Sequence, residues 1–200
     1  MQFCGRRRVG VVPMERLQSG DALLLIDVQN DFCPGGALPV EEGDRVVAVL
    51  NRWLRAARET GVPVYASRDW HPLRHPSFRD QGGPWPPHCI QDSRGARFHS
   101  GLELPEDAIV ISKGARFDRD QYSAFNGTGL AGQLERDGVR RLWVGGLAQD
   151  VCVLHTVLDA READFAVHVI VEGTRPVDPE EGLRALERMR ESGAEIEVEA

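Results

Sequence analysis

The chain has 200 residues, of which 42% are hydrophobic, and a formal net charge of -7. This is enough for one domain with a substantial core, and the negative charge argues against a nucleic-acid surface, which requires concentrated lysine and arginine. The four cysteines, Cys4, Cys33, Cys89 and Cys152, have no repeated spacing, so neither a disulfide framework nor a Cys-x-x-Cys zinc site is predicted. A reducing cytoplasm fits this cysteine usage best.

Residues 1–20 are interpreted as an N-terminal tail and residues 21–200 as a single domain. The tail contains a short basic run and a short apolar stretch, but Glu15 and Arg16 follow at once, so we expect no signal-peptide core or membrane span. Met14 is an alternative start of translation. We expect no membrane partner, and the sequence leaves a homo-oligomer open.

Strands and helices alternate along the rest of the chain. The continuous apolar run at 23–26 is typical of a strand buried on both faces, and it ends at Asp27. A helix with Asp44 as its N-cap is predicted over 44–60. Further strands are predicted over 62–67, 108–112, 141–144, 166–172 and 194–198, and further helices over 128–137 (capped by Thr128), from 151 onward, and over 179–192.

This alternation predicts an α/β fold with three layers: a doubly wound, mostly parallel sheet of about six strands, flanked by helices. Ligands of such folds bind at the carboxyl ends of the strands. The sequence has no Gly-x-Gly-x-x-Gly or Walker motif, so we do not expect a nucleotide-phosphate cradle.

Chemically useful residues follow several of the predicted strands. The pair Gly145-Gly146 predicts a sharp turn after the fourth strand, and the helix beyond it places Cys152 in its first turn. Unpaired N–H groups and the helix dipole there favour an anion, so we expect a lowered thiol pKa and a nucleophile. The alternative is a small buried hydrophobic side chain. Lys113 follows the third strand, where its alternative role is a solvated surface charge.

Asp69 and His71 follow the second strand, and their spacing of two residues places them on the same face of an extended chain, where they can hold one ion. The next forty residues are rich in proline and glycine, which indicates a functional loop. That loop contains His75, His88 and His99. Isolated loop histidines are mostly solvated, but the Asp-x-His pair favours one of them as a further ligand.

Five segments resemble, in matching order, the isochorismatase-like cysteine hydrolases and within them the nicotinamidase/pyrazinamidase branch. The resemblance runs from about residue 22 to 194. The segments are IDVQNDFCPGG at 26–36, RDWHP at 68–72, WPPHC at 85–89, SKG at 112–114 and GLAQDVCV at 146–153.

The resemblance implies a catalytic triad of Asp27, Lys113 and Cys152. Cys152 attacks the amide carbonyl, Asp27 carries protons, and Lys113 holds the cysteine and the aspartate in an ionised pairing. It also implies an oxyanion hole formed by the backbone N–H groups of Ala148 and Cys152, and a cis peptide between Leu147 and Ala148.

The resemblance further implies one divalent metal bound by Asp69, His71 and His88, with His75 as an additional ligand in some relatives. Zinc is the first candidate, with iron and manganese as alternatives. Phe32, Trp85 and Tyr122 match the walls that pack on the ring of a small-molecule substrate.

The expected activity is the conversion of nicotinamide to nicotinate and ammonia in NAD salvage, together with deamidation of pyrazinamide. Three alternatives stay open: another small-amide or carbamoyl hydrolase, a non-haem iron oxygenase using the two histidines and a carboxylate, and a non-catalytic binding protein. Three residues depart from the family: Gln149 stands where relatives often carry threonine, Val151 where others have tyrosine or histidine, and Asp164 where glycine is common.

Overall fold

The first strand, β1, is buried along its whole length because both faces of the sheet are covered. Its side chains alternate between two core clusters, with Leu23 on one side of the sheet and Leu24 on the other. The computed structural model describes residues 17–198, so most of the predicted N-terminal tail, residues 1–16, lies outside the described part. Leu17 is buried and packs on the cluster that contains Leu23.

Within residues 17–198, six strands form one sheet in the order β3-β2-β1-β4-β5-β6, and every neighbouring pair is parallel. The predicted doubly wound α/β sheet is therefore confirmed, with all pairings parallel. The strands are β1 (Asp21–Ile26), β2 (Val64–Asp69), β3 (Ile109–Lys113), β4 (Arg141–Leu147), β5 (Ala166–Arg175) and β6 (Glu195–Glu197).

Helices cover both faces and give the predicted three layers. Helix α1 (Arg45–Thr60) packs on one face together with parts of the long segment between β2 and β3. The other face is covered by α2 (Leu130–Arg136), α3 (Leu154–Glu162) and α4 (Pro179–Glu191). Among these described helices, none combines the length and the apolar character that crossing a bilayer requires.

Two predicted helix caps differ from the structure. Asp44 occupies the N-cap position of α1, but its backbone is already helical and its side chain makes no capping hydrogen bond. Helix α2 begins at Leu130, two residues later than predicted, because Gly129 adopts a left-handed conformation with φ 81°. The Thr128 hydroxyl still accepts a hydrogen bond from the Leu130 N–H at 3.2 Å.

The paired glycines of β4 do not end the strand, contrary to the sequence prediction. β4 continues through them to Leu147, with an irregularity between Val144 and Gly146 in its pairing with β5. Gly146 pairs with Ile26 of β1, and a Cβ atom at Gly146 would lie 2.0 Å from the Ile26 carbonyl oxygen. Glycine is therefore required for the close approach of two strands rather than for a turn.

Strands β2 and β3 extend further toward the site than predicted. Asp69 is the last residue of β2 and Lys113 the last residue of β3, and the two are register partners in the sheet. This pairing fixes their Cα positions side by side, so both side chains start from rigid backbone.

Candidate active site

Four adjacent strands bring the predicted reactive residues to one edge of the sheet. Asp27 follows β1, Asp69 and Lys113 end β2 and β3, and Cys152 lies five residues after β4. Beside them is a cavity of about 490 Å³, a volume that includes the open solvent at its mouth. Its lining residues are Phe32, Leu38, Pro39, Val40, Asp69, His71, Trp85, His88, Asp120, Tyr122, Ala148, Val151, Cys152 and Val177.

The buried ammonium of Lys113 is the centre of this group. Its Nζ lies 2.8 Å from Asp27 Oδ2, 2.6 Å from Asp69 Oδ1 and 3.5 Å from Cys152 Sγ. It also donates to the Gln121 carbonyl oxygen at 3.3 Å. The sequence predicted that Lys113 holds Cys152 and Asp27, and the structure brings all three together. The additional contact with Asp69 was not predicted.

These contacts set the charges of the buried groups. Burial disfavours the ammonium, but Asp27 and Asp69 hold the pKa of Lys113 well above its ordinary value. Burial also disfavours the Asp69 carboxylate, yet Lys113 and His71 keep its pKa below the usual range. For Asp27 burial prevails and raises the pKa, although Lys113 and Ser67 oppose the shift. The contacts therefore favour a charged Lys113 and a charged Asp69, beside an Asp27 carboxyl group suited to exchanging protons.

The expected lowering of the Cys152 pKa is wrong for this structure. Burial raises the pKa of the thiol well above its ordinary value, and Lys113 opposes only part of that shift. Burial is the main cause; in addition, Asp27 and Asp69 face the same ammonium and oppose its stabilisation of a thiolate. Burial therefore favours the protonated form of the Cys152 thiol. Asp27, Asp69 and Cys152 each place a ligand atom within 4.8 Å of the others.

Cys152 lies in a π-helical turn, Gln149–Val153, rather than in an α-helix. Val153 N–H donates to the Ala148 carbonyl oxygen at 3.0 Å, five residues back, and α3 begins only at Leu154. Such wide turns are frequent at functional sites, and the first N–H groups of any helix lack intrahelical acceptors. The predicted cis peptide between Leu147 and Ala148 is confirmed, and it places Ala148 directly before this turn.

Asp69, His71 and His88 form a set that can hold a metal ion. Asp69 Oδ2 lies 3.5 Å from His71 Nε2 and 3.9 Å from His88 Nε2. Each histidine places its other nitrogen, Nδ1, 2.8 Å from a backbone carbonyl oxygen, that of Gly114 or Pro86. These contacts leave Nε2 of each histidine directed toward the Asp69 carboxylate, the arrangement typical of metal-ligating histidines. The donor set therefore fits a divalent metal.

His75 lies against this set and is fully buried. Its ring is 4.2 Å from that of His71, and its Nδ1 lies 2.7 Å from Ser77 Oγ. Within the described residues its Nε2 has no hydrogen-bond partner. Burial, reinforced by the nearby His71, lowers the pKa of His75 to about 4, so the ring is neutral. His71, His75 and Asp120 also form a group of metal-compatible atoms, and Asp120 was missed from the sequence. His99 does not line the cavity.

The three predicted ring-packing residues all line the cavity. Phe32 lies 5.5 Å from the ring of His88, and Trp85 Nε1 donates to the Tyr122 hydroxyl at 3.1 Å. Tyr122 stacks on His155 with its centroid at 5.4 Å. The walls are thus aromatic and apolar, whereas the floor is charged.

Sequence reasoning missed two residues that position the reactive aspartates, one through a carboxylate and one through the backbone. The buried Ser67 hydroxyl donates to Asp27 Oδ1 at 2.7 Å. Gln29 brackets Asp69: its Oε1 accepts from the Asp69 N–H and its Nε2 donates to the Asp69 carbonyl oxygen, both at 2.8 Å. Both lie two residues from a reactive aspartate, and this spacing is the signal that could have identified them.

Comparison with known proteins agrees with this geometry. The isochorismatase domain model matches residues 21–198. A nicotinamidase of Escherichia coli is 42% identical over 88% of this chain and 93% of its own length. The pyrazinamidase of Pyrococcus horikoshii in complex with zinc superposes with a TM-score of 0.87 at 45% identity, covering 89% of this chain and 98% of its own. PnC1 from L. infantum, solved in complex with nicotinate, gives 0.81 at 38% identity, with 88% and 91% covered. The chain therefore belongs to the isochorismatase-domain family.

Proposed function

We propose that the protein is a nicotinamidase that hydrolyses nicotinamide to nicotinate and ammonia, a step of NAD salvage, and that it also deamidates pyrazinamide. One observation carries the proposal: Cys152, paired with Lys113 and Asp27, shares a cavity with the metal-compatible set Asp69, His71 and His88. A nucleophile for the amide and a holder for a ring nitrogen are therefore adjacent. The nicotinamidase and pyrazinamidase relatives support this assignment.

The first half of the reaction uses the thiol and one carboxyl group. Cys152 Sγ attacks the amide carbonyl carbon while its proton passes to Asp27. The carbonyl oxygen becomes an oxyanion, which the N–H groups of Ala148 and Cys152 receive. Asp27 then returns the proton to the amide nitrogen, and ammonia leaves a thioester on Cys152.

The second half regenerates the enzyme. Water attacks the thioester carbonyl carbon and gives a proton to Asp27, which passes it to the departing sulfur, and nicotinate leaves. Lys113 keeps its charge throughout and holds Asp27 and Asp69 at fixed positions. Ser67 fixes the other oxygen of Asp27, so the proton is exchanged at a single carboxyl oxygen, Oδ2.

Asp69, His71 and His88 would hold the metal, which when bound supplies a ligand site for the pyridine nitrogen, directly or through water. Zinc is the first candidate, supported by the zinc complex of the Pyrococcus relative, and iron or manganese also suit these donors. His75 is proposed as an additional ligand because its Nε2 is buried beside His71. Phe32, Trp85 and Tyr122 pack on the ring and orient its amide toward Cys152.

The deciding experiment measures ammonia release from nicotinamide by protein loaded with zinc, iron or manganese, and by chelator-treated protein. We expect stoichiometric ammonia and nicotinate from at least one loaded form and a strong loss after chelation. Absence of ammonia from every loaded form would refute the assignment. An iron oxygenase, the alternative from another class, would instead consume oxygen and leave Lys113 and Cys152 without a role.

A further inference from the structure

The side chain of Gln149 is buried although it stands directly after the cis peptide, in the turn that carries Cys152. Its Nε2 donates to the Gly182 carbonyl oxygen at 2.8 Å, and its Oε1 accepts from the Thr174 hydroxyl at 2.8 Å. Both carboxamide atoms are thus used in a buried environment, where an unsatisfied polar group is costly.

The two partners belong to different elements beneath the turn. Thr174 lies near the end of β5 and is almost fully buried, and Gly182 lies in the first turn of α4. A Cβ atom at Gly182 would lie 2.6 Å from Pro176 Cβ and 3.1 Å from Gln149 Nε2. Only glycine therefore allows α4 to approach the carboxamide this closely.

The next residue anchors the same segment. Asp150 accepts hydrogen bonds from the Val177 N–H at 2.9 Å and the Asp178 N–H at 3.0 Å. Val177 lines the cavity, and Asp178 caps α4 by accepting from the N–H groups of Glu180 and Glu181. The connection between β5 and α4 is therefore held to the cysteine turn at two consecutive positions.

We propose that Gln149 is a positioning residue that fixes the oxyanion hole by fastening the cysteine turn to β5 and α4. The inference rests on the proposed function. Gln149 does not line the cavity. It acts through the backbone of Ala148 and Cys152, whose N–H groups receive the oxyanion of the transition state. Where relatives often have threonine, this chain uses a longer carboxamide that reaches α4 and β5 together. The oxyanion hole binds the ground-state carbonyl oxygen more weakly than the oxyanion of the transition state, so we expect loss of Gln149 to change kcat more than KM.

The test compares Gln149→Ala, Gln149→Glu and Thr174→Val with wild type and with Gln133→Ala. Gln133 is a matched control, since it makes comparable side-chain hydrogen bonds on exposed α2. Gln149→Glu keeps the oxygen that accepts from Thr174, but it replaces the Nε2 donor with a second oxygen, which faces the Gly182 carbonyl oxygen and cannot donate to it. For both Gln149 variants we expect kcat on nicotinamide to fall about 10- to 100-fold, with KM changed less than about threefold. Thr174→Val should give a smaller loss in the same direction.

A second readout separates positioning from general damage. Pyridine-3-carbaldehyde accepts the Cys152 thiol across its C=O bond: an S–C bond forms, the C–O π bond breaks and the oxygen takes up the thiol proton. The product has a tetrahedral carbon whose oxygen lies where the oxyanion forms. In the Gln149 variants, the Ki of pyridine-3-carbaldehyde should rise by the same factor by which kcat falls, whereas the Ki of nicotinate should stay near the wild-type value.

Three results would overturn the inference: an unchanged kcat, an aldehyde Ki that does not rise as kcat falls, or a KM that rises by the same factor by which kcat falls. The melting temperature of each variant is measured beside these constants, and Thr174→Val provides the same comparison if the Gln149 variants do not fold. Failure of the proposed function would appear separately, as a wild-type protein that releases no ammonia.

Discussion

Replacing Lys113 with methionine should destabilise the fold strongly as well as abolish turnover. The side chains of Lys113 and Asp27 are fully buried in their ion pair, and Asp69 is nearly so. Removing one partner of a buried ion pair costs about 3–5 kcal/mol, because the other charge remains buried without compensation. For a domain of this size each kcal/mol lowers the melting temperature by about 2–4 °C, so we expect a fall of about 6–20 °C.

Protonation of Asp27 limits the destabilisation caused by Lys113→Met and makes that destabilisation depend on pH. Neutralising a carboxyl group of ordinary pKa, about 3.9, costs about 4 kcal/mol at pH 7, which agrees with the range above. Without Lys113 the folded protein binds that proton more readily than the unfolded chain does. The stability of the Lys113→Met variant therefore falls as pH rises above the pKa that Asp27 has in the unfolded chain. The difference in melting temperature between variant and wild type should be smaller at pH 5 than at pH 7.

The assay is thermal unfolding of metal-loaded protein at both pH values. Lys113→Met combined with Asp27→Asn should recover part of the lost melting temperature without restoring activity, because one of the two carboxylates left without the ammonium has been neutralised. Arg116→Met is the matched control: its ion pair with Asp118 is 2.7 Å long but exposed, so its loss should leave the melting temperature unchanged. A Lys113→Met variant whose melting temperature lies within about 2 °C of the wild-type value would refute the account of the buried cluster.

Cys152→Ala should abolish turnover while metal and nicotinate still bind. Cys33→Ala, which removes a second buried thiol, is the control and should retain activity. Hydrolysis by the Cys152 variant would point to another nucleophile. Ser67→Ala should lower kcat/KM at neutral pH by about tenfold, because the lost hydrogen bond favoured the Asp27 carboxylate. The acid limb of its pH profile should move to higher pH, and an unmoved limb would contradict the role of Asp27. Chelation or His88→Ala should impair nicotinamide hydrolysis far more than benzamide hydrolysis, and equal losses would argue against recognition of the ring nitrogen. Removing residues 1–13, which lack a periodic apolar face, should leave melting temperature and activity intact; a large loss would show that they dock on the domain.

The fold and the identity of the reactive residues could be predicted from the sequence because each depends on local pattern. The apolar run before Asp27 fixes a buried parallel strand, and parallel strands share a carboxyl edge. Lys113 ends β3 and Cys152 follows β4, which are parallel strands of the same sheet, so the topology brings both residues to that edge. The Asp69 and His71 pair required only the two-residue period of extended chain.

What could not be predicted depends on contacts between segments distant in sequence. The raised pKa of Cys152 results from burial and from two carboxylates facing one ammonium, and no single segment encodes that charge balance. Gly146 was interpreted as a turn residue because its crowding against Ile26 arises only once β1 and β4 pair. Asp120 lies in the loop after β3, which has no periodic pattern, and only the fold brings it beside His71 and His75.

The positions of the four tryptophans allow ligand binding to be followed by the intrinsic fluorescence of the protein. Trp53 and Trp143 are packed in the core with ring centroids 4.8 Å apart, so neither meets an arriving ligand. Trp70 lies beneath the Arg68 guanidinium, 3.8 Å from its ring centre, and is not part of the cavity wall. Trp85 alone among the four lines the cavity, where its indole N–H is tied to Tyr122. A ligand-dependent change in ultraviolet emission therefore originates at Trp85, and a Trp85→Phe protein provides the blank for titrating ligands without turnover.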